Sequence, residues 1–152
     1  CGLLMPLYPA TLQHVPDMAE EDALVMGQQI LKALEFMHRA GLGHCDIKAP
    51  NVFLDASGVA YLGDFGATRE LGKDADELTL SHVPKDAQSA GLDINKASPA
   101  FDKLLLAVTL LERLRWLELR GAWTLSMAAI HESVMLARSA EFREFLQKLL
   151  PP

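Results

Sequence analysis

The sequence predicts a mainly α-helical domain that carries one small β-hairpin, and three observations predict it. Leu24, Gly27, Leu31, Leu34 and His38, with Ile30 and Met37 alongside, recur at helical spacing over about twenty residues. The stretch ASPAFDKLLLAVTLLERL is apolar almost throughout, as a buried helix is. Between them, NVFLDASGVAYLGDFG reads as two short runs of β-formers joined by turn residues. With 152 residues, half of them hydrophobic and 22% charged, the chain is expected to form one soluble globular domain.

The elements follow in order. CGLLMPLYP is apolar and then broken by Pro6 and Pro9, so it reads as a strand end running into a connector. The chain opens on Cys and enters directly on an apolar stretch, which gives the expectation of a segment cut from something longer. Asp17 with Glu20 has capping-box spacing and predicts where the long helix starts. Gly41 predicts where it stops, as a left-handed cap. The predicted strands are Val52–Leu54 and Val59–Leu62, turning at Asp55–Gly58. Residues 67–98 have weak periodicity and many Asp, Lys, Ser and Gly, and read as a long loop. The apolar helix follows, then two more helices, at Trp123–Ala137 and Ser139–Leu150.

Composition excludes several classes. A net charge of −6 argues against nucleic acid or an anionic membrane surface as the main partner. The longest apolar run, Leu104–Leu111, is too short to span a bilayer. Cys1 and Cys45 form no spaced framework and read as free thiols in a reducing, intracellular compartment, with the cytoplasm as the expectation.

One stretch holds a mixture of residues that helices and strands do not need in order to fold. GHCDIKAPN, residues 43–51, gathers His, Cys, Asp, Lys and Asn between the long helix and the hairpin. A tight hairpin brings its ends together, so Asn51, before its first strand, should lie near Asp64, after its second. An amide oxygen and a carboxylate converging there suit a hard divalent cation such as magnesium. Asp46 and Lys48 would sit beside it. A carboxylate that can accept a proton, a cationic side chain and a metal site make a phosphoryl-transfer constellation.

HCDIKAPN, followed by DFG thirteen residues after its Asn, resembles the catalytic core of eukaryotic-type protein kinases, whose pattern is H-R-D-x-K-x-x-N, a hairpin and D-F-G. The resemblance implies a protein-kinase-like C-lobe: a hinge over 1–9, a catalytic loop over 43–54, an activation segment over 64–98 and a helical base over 99–152. It implies that Asp46 is the catalytic base and that Lys48 steadies the transferred phosphoryl group, as in serine/threonine kinases. Asn51 and Asp64 are the implied magnesium ligands, with Phe65 and Gly66 completing the nucleotide-side motif. Met5 stands as gatekeeper, and Pro6, Leu7 and Tyr8 face adenine. His44 is a structural histidine. Asp102, early in the apolar helix, is expected to accept from backbone amides of the His44–Asp46 loop. ATP and magnesium are the implied cofactors, and a protein with a Ser or Thr acceptor is the implied substrate. Thr79 and Ser81 fall near the segment that should bind peptide.

The departures from the family are as specific. No G-x-G-x-x-G and no V-A-I-K-like stretch is present, so the N-lobe is absent and the chain alone is expected to be inactive. Cys45 stands where most members carry Arg, which makes this a non-RD pattern. A-P-E is missing; in HVPKDAQ, Pro84 matches its proline and Lys85 or Asp86 takes the place of its glutamate. Two alternatives stand beside the leading reading. One is a small-molecule phosphotransferase of the aminoglycoside-kinase type. The other is a pseudokinase or degenerate module that acts by interaction.

Overall fold

The computed structural model describes residues 5–75 and 78–152. The expectations resting on Cys1 and on the first four residues of the 1–9 stretch lie outside the described residues. The elements are β1 (Ala10–Thr11), α1 (Glu20–Arg39), β2 (Leu42–Gly43), β3 (Val52–Leu54), β4 (Ala60–Leu62), β5 (Arg69–Glu70), α2 (Pro99–Arg113), α3 (Met127–Val134) and α4 (Ala140–Leu149). Short 3-10 turns join several of them.

Helix α2 is the centre of the core. Every residue from Leu104 to Leu111 is buried, Thr109 included. Pro99 at the first helical position needs no N–H partner, and the Ser98 hydroxyl accepts from Phe101 N–H at 3.1 Å. The other three helices pack on α2. Gly27 lets α1 come close. A methyl group there would lie 2.7 Å from Cε1 of Phe145 on α4 and 2.9 Å from Cδ1 of Leu110 on α2.

The predicted start of α1 is corrected. Asp17 does not cap it; Ala19 is the N-cap residue and makes no side-chain capping bond. Asp17 instead lies 3.6 Å from Arg115 on the surface. The Glu20 carboxylate turns to a different helix end and accepts from the backbone N–H groups of Arg138 and Ser139 at the start of α4. The predicted end holds: Gly41 is left-handed with φ 78. The buried stripe of α1 is Ala23, Gly27, Ile30 and Leu34, with Leu24, Leu31 and His38 only half-buried.

The hairpin forms with Val52 opposite Leu62 and Leu54 opposite Ala60, and β1 adds a third antiparallel strand on the outside of β3. Residues 67–98 are less irregular than their composition suggests. β5 pairs with β2, Leu42 against Glu70, and Asp74 bridges Lys96. The predicted helix at Trp123–Ala137 is shorter, Met127–Val134. Ser126 caps it, and Trp123 before it is left-handed with φ 60. No described helix is long and apolar enough to cross a membrane.

Candidate active site

The polar loop is held from below. Asp102 Oδ2 accepts His44 N–H at 2.9 Å and Asp102 Oδ1 accepts Cys45 N–H at 2.8 Å. Its carboxylate is wholly buried and makes a third contact, 2.8 Å to Nε2 of His38, the next-to-last residue of α1. Thr109 adds a second tie, its Oγ1 lying 3.2 Å from Ile47 O as well as 2.8 Å from Leu105 O. The central helix therefore positions the loop through one buried carboxylate and one buried hydroxyl.

Inside the loop, His44 is fully buried. Its Nδ1 accepts the Asp46 N–H at 3.3 Å, so the proton is on Nε2, which donates to Gly63 O at 2.9 Å. That bond joins the polar loop to the residue before Asp64. Cys45 is left-handed with φ 68, a conformation that costs a non-glycine residue of order 1–3 kcal/mol and persists only where surroundings enforce it. Its thiol is pushed up to about 11, by burial first and then by the Asp102 charge, with Arg69 partly offsetting both.

The structure brings Asp46, Lys48 and Asn51 together. Lys48 Nζ lies 2.8 Å from Asp46 Oδ2, and Asn51 Nδ2 donates to the same oxygen at 3.1 Å and to Asp46 O at 2.8 Å. A fourth member came from 31 residues downstream of Lys48. Thr79 Oγ1 donates to Asp46 Oδ1 at 2.5 Å and accepts from Lys48 Nζ at 3.1 Å. Burial pushes the Asp46 carboxyl up, but the bonds from Lys48 and Thr79, the Lys48 charge and the Asn51 amide outweigh it, leaving the group below the usual aspartate range. Asp46 is therefore an anion at neutral pH.

Asp64 reaches the same place by the hairpin. Gly63 N–H donates to Asn51 O at 2.9 Å, which sets Asn51 and Asp64 on adjacent strand ends. Asp64 is left-handed with φ 55 and exposed; its Oδ1 accepts from Gly66 N–H at 3.3 Å. Gly63 must be glycine here, because a Cβ would lie 2.1 Å from the Phe53 ring. Phe65 makes an edge contact with the His44 ring, centroids 5.5 Å apart.

These residues border a cleft of about 880 Å³, lined among others by Met5, Pro6, Tyr8, Asn51, Asp64 and Phe65. Its floor is aromatic, with Tyr8 stacked on Phe53 at 5.4 Å and tilted on Tyr61 at 5.2 Å. Leu7 is not part of the lining; it is 98% exposed. Among the described residues no three His, Cys, Asp or Glu side chains come together as a metal cage. The donors at the cleft are the Asp64 carboxylate and the Asn51 amide oxygen, which its Nδ2 contacts with Asp46 turn the other way. A sparse oxygen set of this kind fits magnesium, which keeps waters and takes further ligands from phosphates.

Two residues of this network were missed or left unused on the sequence. His38 reads there only as one position of the helical stripe; a histidine on the inner face near a helix end was the available signal. Thr79 is placed there only near the segment that should bind peptide, and nothing local joins it to Asp46.

The protein kinase domain family matches residues 5–88. The Wee1-like protein kinase of Arabidopsis thaliana is 43% identical over 70 residues, covering 45% of this chain and 14% of the relative. The serine/threonine-protein kinase mos of Apteryx australis is 34% identical over 77 residues, 51% of this chain and 36% of the relative. The serine/threonine-protein kinase ArnS of Sulfolobus acidocaldarius is 29% identical over 99 residues, 55% of this chain and 16% of the relative. The chain thus spans between 14% and 36% of the length of these relatives. The family-matched residues 5–88 contain the whole Asp46–Lys48–Asn51–Thr79 cluster and the Asp64 strand end, and on that match the chain belongs to the protein kinase family.

Proposed function

We propose that this chain is the C-lobe part of a serine/threonine protein kinase, and that its parent protein transfers phosphate from ATP, with magnesium, to a Ser or Thr hydroxyl of a protein substrate. The observation that carries the reading is the closed cluster of Asp46, Lys48, Thr79 and Asn51 beside the cleft that Asp64 borders. Bound magnesium would neutralise charge developing on the phosphates. Asn51 and Asp64 would hold it. Asp46 would orient the acceptor hydroxyl and take its proton; it is anionic and already accepts one hydroxyl hydrogen bond, from Thr79, in the geometry an acceptor needs. Lys48, within reach of the same carboxylate, would offset negative charge on the transferred group. Tyr8 and Phe53, with Met5 and Pro6, would receive the adenine. His44, Cys45 and Asp102 would not touch substrate; they hold the loop.

On this reading residues 1–9 are the hinge, 43–54 the catalytic loop, 64–98 the activation segment and 99–152 the helical base, in an intracellular protein. Residues 1–152 alone would bind ATP weakly and transfer no phosphate, since half of the phosphate cradle would be missing and positioning supplies most of this catalysis.

The test uses the parent protein. Asp64→Asn should abolish magnesium-dependent binding of a fluorescent ATP analogue. Asp46→Asn should leave that binding within about twofold and lower kcat by roughly 10²–10⁴, the usual worth of a positioned acid or base. Equal loss of binding in both variants would refute the division of roles, and binding without transfer in the unmutated parent would favour an interaction module.

A further inference from the structure

We infer that Tyr61 is a positioning residue for the base end of the cleft: with Phe53 it clamps the Tyr8 ring and so sets where residues 5–8 stand. Its link to nucleotide binding rests on the function proposed above.

The hairpin builds the clamp. Successive residues of a strand face opposite sides of the sheet. Val52 and Leu54 of β3 and Ala60 of β4 are buried, which leaves Phe53 and Tyr61 on the outer face. The two are register partners, so their side chains start as direct cross-strand neighbours. Gly63, two residues after Tyr61, comes to the same face. Having no side chain, it lets the Phe53 ring lie over it; a Cβ there would be 2.1 Å from that ring. Tyr8 then rests on both rings, its centroid 5.4 Å from that of Phe53 and 5.2 Å from that of Tyr61.

Tyr8 is the anchor of its segment. Met5, Pro6, Leu7 and Pro9 are exposed, Tyr8 is half-buried, and none of the five lies in a helix or strand. Phe53 offers the Tyr8 ring one surface. Tyr61 supplies the second, which stops the ring from sliding across the sheet. Tyr61 is 41% exposed, too open to serve the core, and its hydroxyl donates to Asp55 Oδ2 at 3.2 Å. Asp55 Oδ1 accepts in turn from the Ser57 and Val59 N–H groups at 2.8 and 3.0 Å. The Tyr61 ring is therefore held at its base by the strand and at its tip by the turn. An exposed hydroxyl bond trades with water, so the ring contacts carry most of the clamp. A base entering the cleft meets Phe53 and Tyr8 already in place, and the cost of ordering Tyr8 has been met before binding.

The first arm of the test uses the chain without nucleotide. NMR should show Overhauser contacts between the Tyr8 and Phe53 rings in the unmutated chain and in Tyr61→Phe. In Tyr61→Ser they should vanish, and the Tyr8 ring signals should move to those of an unstacked tyrosine, while the amide signals of α2 stay. The second arm uses the parent protein. Tyr61→Ser should raise Kd for the fluorescent ATP analogue and KM for ATP about fivefold, the worth of one aromatic pair. Its kcat and its KM for the protein acceptor should stay within about twofold, as for a group that acts on nucleotide binding alone. Tyr61→Phe should bring Kd and KM for ATP back to within about twofold of the parent, because it keeps the ring pair. Tyr8–Phe53 contacts that survive in Tyr61→Ser would overturn the inference. So would an unchanged Kd once those contacts are lost. A fall in kcat and acceptor affinity alike would make Tyr61 a general stabiliser, and failure of Phe to rescue would put the effect in the Asp55 bond; either result also overturns it. The first arm needs no nucleotide, and the Asp46 and Asp64 variants decide the proposed function, so the two readings fail separately.

Discussion

Replacing Asp102 with alanine tests the scaffold of the site directly. Its carboxylate accepts two backbone N–H groups, His44 at 2.9 Å and Cys45 at 2.8 Å, and touches His38 Nε2 at 2.8 Å, with no exposure to water. Removing it strands two buried amides, each costing about 1–3 kcal/mol. His38 keeps 10% of its side chain exposed and can turn toward solvent, so it adds little. The carboxylate's own desolvation is relieved, which offsets part of the loss. The net expectation is about 3–5 kcal/mol, the range for breaking a buried charged contact by removing one member. Against a total stability of about 5–15 kcal/mol, that is a large share. At about 2–4 °C per kcal/mol for a chain of this size, melting should fall by roughly 6–20 °C. Asp102→Asn keeps one acceptor and turns an NH₂ toward the second amide, so it should recover only a minor part. Urea titration by circular dichroism gives the stability, and exchange at the His44 and Cys45 amides locates the damage. A loss under about 1 kcal/mol, or unchanged exchange at those two amides, would refute the claim that this carboxylate holds the loop.

Three further outcomes are expected. Asp46 has a carboxyl held below the usual range, so it contributes stability above that range and loses it as pH falls through its lower folded value; the urea-midpoint gap between parent and Asp46→Asn should narrow from pH 7 toward pH about 3, and a constant gap would count against the ion pair with Lys48. The Cys45 thiol, buried and raised to about 11, should resist iodoacetamide at pH about 8 in the folded chain and react once urea unfolds it, as peptide mass spectrometry at residue 45 would show; rapid labelling of folded chain would mean that the loop opens. Gly27→Ala gains up to about 1 kcal/mol of helix propensity but places a methyl group 2.7 Å from the Phe145 ring, so overpacking should win by about 1–2 kcal/mol; a stabilised variant in the same urea assay would mean that α4 yields at no cost.

What could be read from the chain in advance was whatever depends on neighbours in sequence. Apolar spacing gave α1 and the buried α2, and Gly41 marked a stop because a left-handed residue there needs no distant partner. The hairpin was legible for the same reason, and with it the approach of Asn51 to the Asp64 strand end. The start of α1 was misread because Glu20 is engaged by the amides of Arg138 and Ser139, 118 and 119 residues away, and no local pattern announces that. β5 was hidden inside a polar stretch, since a two-residue strand is set by the partner β2 and not by its own propensity.

The candidate site divides along the same line. Asp46, Lys48 and Asn51 are determined by the sequence alone, because five residues of loop cannot carry them far apart. Thr79 and His38 were decided by tertiary structure. Thr79 meets Asp46 across 33 residues, and His38 meets Asp102 across 64. Those contacts exist because β5 returns beside β2 and because α2 is buried against α1, bringing the chain after β5 and a helix-borne carboxylate to one loop. A polar side chain's partner at that separation depends on where the chain reverses and what the core buries, and neither is written in the residues around it.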